Sequence, residues 1–448
     1  MSSLSIVTRT ASDDLFDIAL EAVQFTLPLY EMARMRAATC PRRDRAGRAA
    51  GTTPESTQRW ANHWVHARKL LGPADRQVVT PNNDTLYSSA WLDLGAGPLV
   101  IRVPDMGTRY YVLGLLDMYT NPFGYIGTRV TGNARGEFLL HGPRWQGEVP
   151  EGVHVVRCPT DTVWLIGRLL VEGADDVAAV NALQDQLEFV SPPGSGAQVP
   201  NLVDAGIEPH EKVGDPLRYA SVVNRVLAEA PPPSEASAAL ARFAACGIGP
   251  GLPGERLSVA QQAALARAID EVTRALSRAL PSELGGGWCL PVELHESFGT
   301  DYVARAQVAL SYIGALGIEE AMYVMADRDA DGALLDGEAQ YVLRFVPGGA
   351  PQVDAFWSLT AYEKASCMLA ENAIGRYSIG DRTQGLCYDA DGGLRIAISA
   401  REPDDATLRR NWLPAPQGQF YLALRLYMPR AAHLSRTFAY PPIERRIA

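Results

Sequence analysis

Paired cysteines are missing from this 448-residue chain: Cys40, Cys158, Cys246, Cys289, Cys367 and Cys387 form no CxxC. A chain of this length does not need disulfide staples, so reduced structural thiols are expected. No stretch reaches the roughly 18 to 20 uninterrupted apolar residues of a membrane span. The longest such run, Thr162 to Val171, is broken by Arg168. Positive charge is also scarce, with 41 Lys and Arg against 51 Asp and Glu and a net charge of −10. This balance gives no electrostatic ground for a nucleic acid or an anionic membrane as partner. The first ten residues lack the basic region and apolar run of a secretory signal, so a cytoplasmic location is expected. There is no G-x-S-x-G elbow and no Walker motif, and the glycines of 247–254 lack the preceding strand and following helix that a dinucleotide fingerprint requires, so they read as a linker.

What is present is a large apolar fraction, 47%, which excludes a largely disordered chain. The length suggests two domains or three. Residues 12–38 carry a helical stripe (Leu15, Phe16, Ile18, Ala19, Ala22, Phe25) that Pro28 is expected to kink or restart. A second helix is expected over 54–71, with Trp60, Trp64 and Ala67 on one face. The period then changes. Strands are expected at 86–94, 99–104, 110–118, 128–130, 137–140, 152–157 and 162–169, followed by a helix from Gly173-Ala-Asp-Asp to about Phe189. Helices are expected at 234–246, 257–280 and 302–316. Strands return at 341–345, 355–362, 394–399 and 420–427, with Asp389-Ala-Asp-Gly-Gly393 as a hairpin turn. The pattern gives an α+β chain of two antiparallel β-rich domains, sandwich or barrel-like, with a helical N-terminus and a helical centre. The corresponding boundaries are 1–71, 72–190, 191–334 and 335–448.

Three constellations could carry chemistry. In Asn82-Asn83-Asp84-Thr-Leu-Tyr87, strand alternation puts Thr85 and Tyr87 on one face and Leu86 on the other. Asp84 could accept a proton there, with the asparagine amides donating to a negative oxygen. The plain alternative is an Asx-turn entering an edge strand. The second set is Asp117, Tyr119 and Asn121, whose alternation could point all three into one cavity with the first set. The third joins Asn372, Arg376, Tyr377 and Asp381 to Asn411 and Trp412. Its arginine could hold a carboxylate bidentately, or tie loops together through Asp381. His63 and His66 are spaced to share a helical face, but no further ligand follows at metal-site spacing, so no metal is expected. The turn at Asp329 resembles a calcium loop only in passing and is read as a polar hairpin.

The stretches Pro81-Asn-Asn-Asp-Thr-Leu-Tyr87 and Asp117-Met-Tyr-Thr-Asn121 resemble the family DUF1254. Phe356-Trp-Ser-Leu-Thr360, Arg376-Tyr-Ser-Ile379, Asn411-Trp-Leu-Pro-Ala-Pro416 and Arg425-Leu-Tyr-Met-Pro429 resemble its usual companion, DUF1214. The resemblance implies two β-rich domains joined by helices in a bacterial protein, often oligomeric, and carries over no catalytic residue. The functional expectation is a cofactor-independent acid–base enzyme (hydrolase, lyase or cyclase) acting on a small oxygenated molecule. In it Asp84 and Asp117 handle protons with Tyr87 and Tyr119, while Asn82, Asn83, Asn121, Arg376, Tyr377, Asn411 and Trp412 bind. The alternatives are a non-catalytic small-molecule binder and a structural homo-oligomer with the aromatics of 420–427 buried between subunits.

Overall fold

The computed structural model describes residues 11–41, 59–76, 79–149, 151–191, 202–203 and 213–446. Helix α1 (Ala11–Thr39) leads into the short strands β1 (Arg59–Trp60) and β2 (Val65–His66). Next come β3 (Thr85–Asp93), β4 (Leu99–Val103), β5 (Tyr111–Leu116), β6 (Gly124–Gly127), β7 (Gly136–His141), β8 (His154–Arg157) and β9 (Thr162–Leu170). Helix α2 (Val177–Gln184) and strands β10 (Glu188–Val190) and β11 (Leu202–Val203) close this half. The centre holds α3 (Pro216–Glu229), α4 (Ser237–Phe243) and α5 (Val259–Ser277). After β12 (Ser282–Gly285), β13 (Trp288–Leu290) and α6 (Tyr302–Ser311) come β14 (Ala321–Ala326), β15 (Gln340–Phe345), β16 (Val353–Glu363) and β17 (Ser378–Gly380). The chain finishes with β18 (Leu394–Ser399), α7 (Ala406–Arg410), β19 (Trp412–Pro414), β20 (Phe420–Pro429), α8 (Ala431–Leu434) and β21 (Ile443–Arg446).

The architecture is α+β, as the pattern implies. A five-stranded sheet, β2-β3-β9-β5-β6, packs on a four-stranded one, β10-β4-β7-β8. Between them lie the alternate residues Leu86, Ala90 and Leu92 of β3, with Leu113, Leu165 and Leu140. In the C-terminal half, β12-β13-β14-β20-β16-β17 packs on β19-β18-β15-β21 over Val324, Leu359, Leu424, Leu343 and Ile396. The ladders are antiparallel except β7–β8 and β18–β19. Alternate residues of these strands face the two sandwich cores, which is why the strands are readable in sequence. The turn at 389–393 is the expected hairpin, with Asp389 N–H bonded to Gly393 O.

Helix α1 is covered by α3, α5 and α6, burying Val23, Leu27, Tyr30 and Ala33. That burial explains why α1 continues unbroken through Pro28. The lost backbone bond and ring clash cost about 3 kcal/mol, and packing on several sides outweighs it. The helices lie over one end of the outer face of the five-stranded sheet, where Trp91 and Trp164 stack at 5.2 Å. The other end of that face meets the outer face of the six-stranded sheet, and a seam forms between the two β units.

Several local expectations change. Residues 59–71 are not helical: Trp60 pairs with Leu202, Val65 and His66 pair with β3, and residues 54–58 lie outside the described set. His63 and His66 therefore share no helical face. His66 bonds Ser88 and stacks on Trp64, while His63 bonds its own turn at Ala61 O. Residues 128–130 form a turn after β6. The helix after Gly173 ends at Gln184, because Phe189 is drawn into β10 and stacks on Trp64 at 4.4 Å. Helix α3 was not expected. Its signals are Asp215, whose carboxylate accepts from Leu217 N–H, and Pro216 at the first position. Phe420 and Tyr427 are fully buried within their own chain, which removes them as an intersubunit patch. Among the described residues no helix is long and apolar enough to cross a membrane.

Candidate functional site

The Asn82-Asn83-Asp84 motif is an Asx-turn formed by Asn82, and it places the Asp84 carboxylate between the two β units. Asn82 Oδ1 accepts from the backbone of Asp84 and Thr85 at 2.7 and 3.2 Å, and its Nδ2 donates to the Tyr427 hydroxyl at 2.7 Å. Asn83 Nδ2 donates to Leu71 O. Asp84, 3% exposed, lies in the seam. Its Oδ2 accepts from Ser358 Oγ at 2.5 Å and its Oδ1 from Arg382 Nη2 at 2.8 Å. Tyr87 projects from the same face of β3, with the Arg168 guanidinium over its ring at 5.1 Å and Arg168 Nε donating to its hydroxyl at 3.2 Å. Leu86 points into the sandwich core, as alternation requires.

Asp117, Tyr119 and Asn121 are elsewhere. Val171, just past the end of β9, bonds Asp84 O, whereas Leu116 pairs with Trp164 near its start. At about 3.3 Å per residue, the two carboxylates stand roughly 25 Å apart. The structure thus keeps the two motifs in separate places, and the first does not line a cavity with the second. Asp117, Tyr119 and Asn121 do come together, through a turn rather than a strand. Asp117 Oδ1 accepts from the Tyr119 and Asn121 amides at 2.8 and 3.0 Å, and Oδ2 from Asn121 Nδ2 at 2.9 Å. These bonds hold Thr120 at φ 65, left-handed backbone that costs a β-branched residue about 1–3 kcal/mol.

This turn forms part of the wall of a cleft of about 720 Å³. The wall also includes Phe25 of α1, the prolines 231–233 after α3, and Tyr302 and Arg305 of α6, together with Glu235 and the Arg144–Asp161 ion pair. Arg305 is 6% exposed. Its guanidinium sits 5.0 to 5.4 Å from the rings of Phe25, Tyr302 and Tyr119. One Nη donates to Phe25 O at 3.4 Å, and Nε has no partner. Burial disfavours its charge, and the nearby Asp117 partly restores it. Burial also raises the Asp117 carboxyl above the ordinary carboxylate range, against the lowering effect of its hydrogen bonds and of Arg305. The Tyr119 phenol is raised by burial and by Asp117, and it donates to Ala230 O. The cleft therefore sets a carboxyl raised by burial beside a buried cation between aromatic walls. Sequence reasoning missed Arg305. The available signal was an arginine within an apolar helix whose one acid a turn earlier, Asp301, is committed to capping Ala304.

The third constellation is architectural. Arg376 donates to Arg410 O and Trp412 O rather than to Asp381. Asn411 clasps Cys387 and Arg395 backbone, Trp412 Nε1 bonds Ser399 O, and Tyr377 bonds Glu371. None of them lines the cleft. Among the described residues no group of three or more His, Cys, Asp or Glu is placed to hold a metal.

Comparison with known proteins agrees with the motifs. Residues 61–191 match the model of DUF1254, a protein of unknown function, and residues 320–431 match that of DUF1214, likewise of unknown function. The crystal structure of the VPA0106 protein from Vibrio parahaemolyticus is 28% identical with a TM-score of 0.71, covering 97% of this chain and 100% of that one. An uncharacterized protein from Burkholderia cenocepacia gives 13% identity and a TM-score of 0.41, covering 97% and 95%. No curated protein matches.

Proposed function

We propose that this chain, with its DUF1254 and DUF1214 regions, binds a small oxygenated organic acid in the Asp117–Arg305 cleft and performs acid–base chemistry on it without a cofactor. The observation that carries the reading is Arg305: a buried guanidinium in the wall of a mostly apolar cleft, with its Nε unpartnered. Asp117 offsets the cost of burying this cation only in part, and a ligand carboxylate or developing enolate would offset the rest. Asp117, its carboxyl raised by burial, is the group suited to carry a proton next to that oxygen. Phe25, Tyr119 and Tyr302 suit an apolar or aromatic ligand body. In this reading Asp84 is a structural residue of the seam and Tyr119 a wall residue.

Benzoate and its neutral analogue benzamide test the binding step. Benzoate is expected to bind wild type and to lose about tenfold to a hundredfold in affinity in Arg305→Met, the worth of a charge-assisted bond. Benzamide is expected to be indifferent to the change. Equal losses for both would remove Arg305 as the anion contact. For the chemical step, phenylpyruvate in D2O reports proton abstraction at C3 by NMR. Wild type should accelerate exchange, and Asp117→Asn should cut that acceleration about 100- to 10,000-fold. Asp117 also accepts three bonds from its own turn, and that observation favours a second reading, binding without turnover. Benzoate binding with no acceleration of exchange would select it.

A further inference from the structure

The seam between the two β units is unusually polar for two sheets packed face to face. From β3, β9 and the residue before β5 it receives Thr85, Tyr87, Arg168 and Tyr110. From β14, β20 and β16 it receives Tyr323, Arg425, Tyr427 and Ser358, which are cross-strand or alternate neighbours on one face. The opposite face of those same strands (Val324, Leu424, Leu359) is wholly apolar core.

The seam has more donors than acceptors. Arg168, 4% exposed, gives Nε to Tyr87 and Nη2 to Gly314 O, and its Nη1 has no partner. Thr85 Oγ1 and Arg382 Nε are buried and unpartnered as well. The Tyr427 hydroxyl accepts from Asn82 and the Tyr87 hydroxyl from Arg168, so their own hydrogens still need an acceptor. Charge is unbalanced in the same direction. The carboxylates bordering the seam are ion-paired already, Asp84 to Arg382 and Glu320 to Arg129. Asp381 bonds the Trp357 amide at the sheet edge. Arg168 and Arg425 are left with neutral partners, a phenol, a hydroxyl and carbonyls. Thr80 is held at φ 51 where its carbonyl meets Arg425. A buried guanidinium without a counter-charge, beside hydroxyls lacking acceptors, is the chemistry of an anion site. Arg168 Nη1 and Thr85 Oγ1 are themselves closed to solvent, so an occupant reaches them by displacing the rings of Tyr87 and Tyr323, which are only half-buried.

We propose that this seam is a second ligand site, for the carboxylate of a small monoanion. Arg168 Nη1 meets one oxygen, and the hydroxyls of Thr85, Tyr87 and Tyr323 donate around it. The site is independent of the cleft, because it uses no residue of the cleft and does not depend on the proposed reaction there.

Formate labelled with 13C is the probe, observed by NMR line broadening against full-length protein. Saturable broadening is expected in wild type, with a component that survives in Arg305→Met, where the anion contact of the cleft is gone. In Arg168→Met the affinity should fall about tenfold to a hundredfold, the loss of one charge-assisted bond. If Arg168→Met does not fold, Thr85→Val and Tyr323→Phe provide the test, each weakening formate about threefold to tenfold. Tighter binding along formate, acetate and butyrate identifies the carboxylate end of a larger organic acid, and tightest binding of formate identifies a free small ion. Two results overturn the proposal. One is broadening absent from wild type or abolished by Arg305→Met. The other is a formate-soaked crystal with only water at Arg168 Nη1.

Discussion

Replacing Asp84 with asparagine tests what the chain's most conspicuous polar motif is for. The substitution preserves volume but removes the charge that Arg382 Nη2 meets at 2.8 Å and the acceptor that Ser358 meets at 2.5 Å. Arg382 stays tethered by Val171 O and by Phe356, over whose ring it lies at 4.2 Å, so its charge cannot simply swing into solvent. Breaking a fully buried pair from one side costs about 3–5 kcal/mol. The Arg382 side chain keeps 21% exposure, so water recovers part of this and the expected loss is about 2–3 kcal/mol. Urea unfolding followed by tryptophan fluorescence measures it, and a double-mutant cycle with Arg382→Met isolates the pair. The cycle should return a coupling of about 1–3 kcal/mol. Benzoate binding at the cleft, roughly 25 Å away by strand rise, should be untouched. A stability change below about 0.5 kcal/mol, or a cycle that closes to zero, would refute the argument that Asp84 latches the two units together.

Three further outcomes follow from other parts of the fold. Arg305→Met should leave the melting temperature unchanged or raise it, since it removes a buried cation with no ion pair; a drop of more than about 1 kcal/mol in urea would show the guanidinium to be structural. His433, fully buried between Gln352 N–H and the Tyr440 hydroxyl, has its imidazole lowered by burial to about 4. Its folded value lies below the unfolded one, so the stability it contributes is complete above about pH 6.5 and is lost as pH falls towards 4, by up to about 3 kcal/mol. Asp381, raised by burial to about 6, acts in the opposite sense, so the readout is the difference from His433→Gln, whose acid-side fall should be shallower; parallel pH curves would discard the assignment. Gly287→Ala should destabilise by about 2–4 kcal/mol, because φ is 93 there and a Cβ would stand 2.4 Å from Arg328 O; a urea midpoint equal to wild type would mean that the β12–β13 turn yields freely.

Much of the β architecture is legible because each strand alternates between two environments. Leu86, Ala90 and Leu92 mark β3 in the sequence as clearly as they fill its core. Trp60 and Trp64 mislead, because aromatics four residues apart mimic a helical stripe, whereas Trp60 pairs with β11 and Trp64 stacks on Phe189. The candidate sites were partly visible. Asp117, Tyr119 and Asn121 are local, and their turn is written within five residues. Asp84 meets Ser358 and Arg382, 274 and 298 residues further on, and no pattern along the chain announces such a meeting. Arg305 and Arg168 were hidden for a related reason. Each sits in an apolar run, where a cation reads as an interruption until the fold shows that nothing opposite neutralises it.

The two-faced character of β14, β16 and β20 has a consequence for synthesis. One face of these strands completes the C-terminal sandwich, and much of the other is covered by the outer face of the N-terminal five-stranded sheet. Leaving the ribosome, the N-terminal half can close its own sandwich while Arg168 and its neighbours stay open to the cytosol or to a chaperone. They gain their cover only after residue 429 has been made, since β20 supplies Arg425 and Tyr427. A nascent chain stalled near residue 320 would therefore present a large aromatic and cationic surface with nothing to cover it. Protease sensitivity of such stalled chains should disappear abruptly once β20 has cleared the exit tunnel.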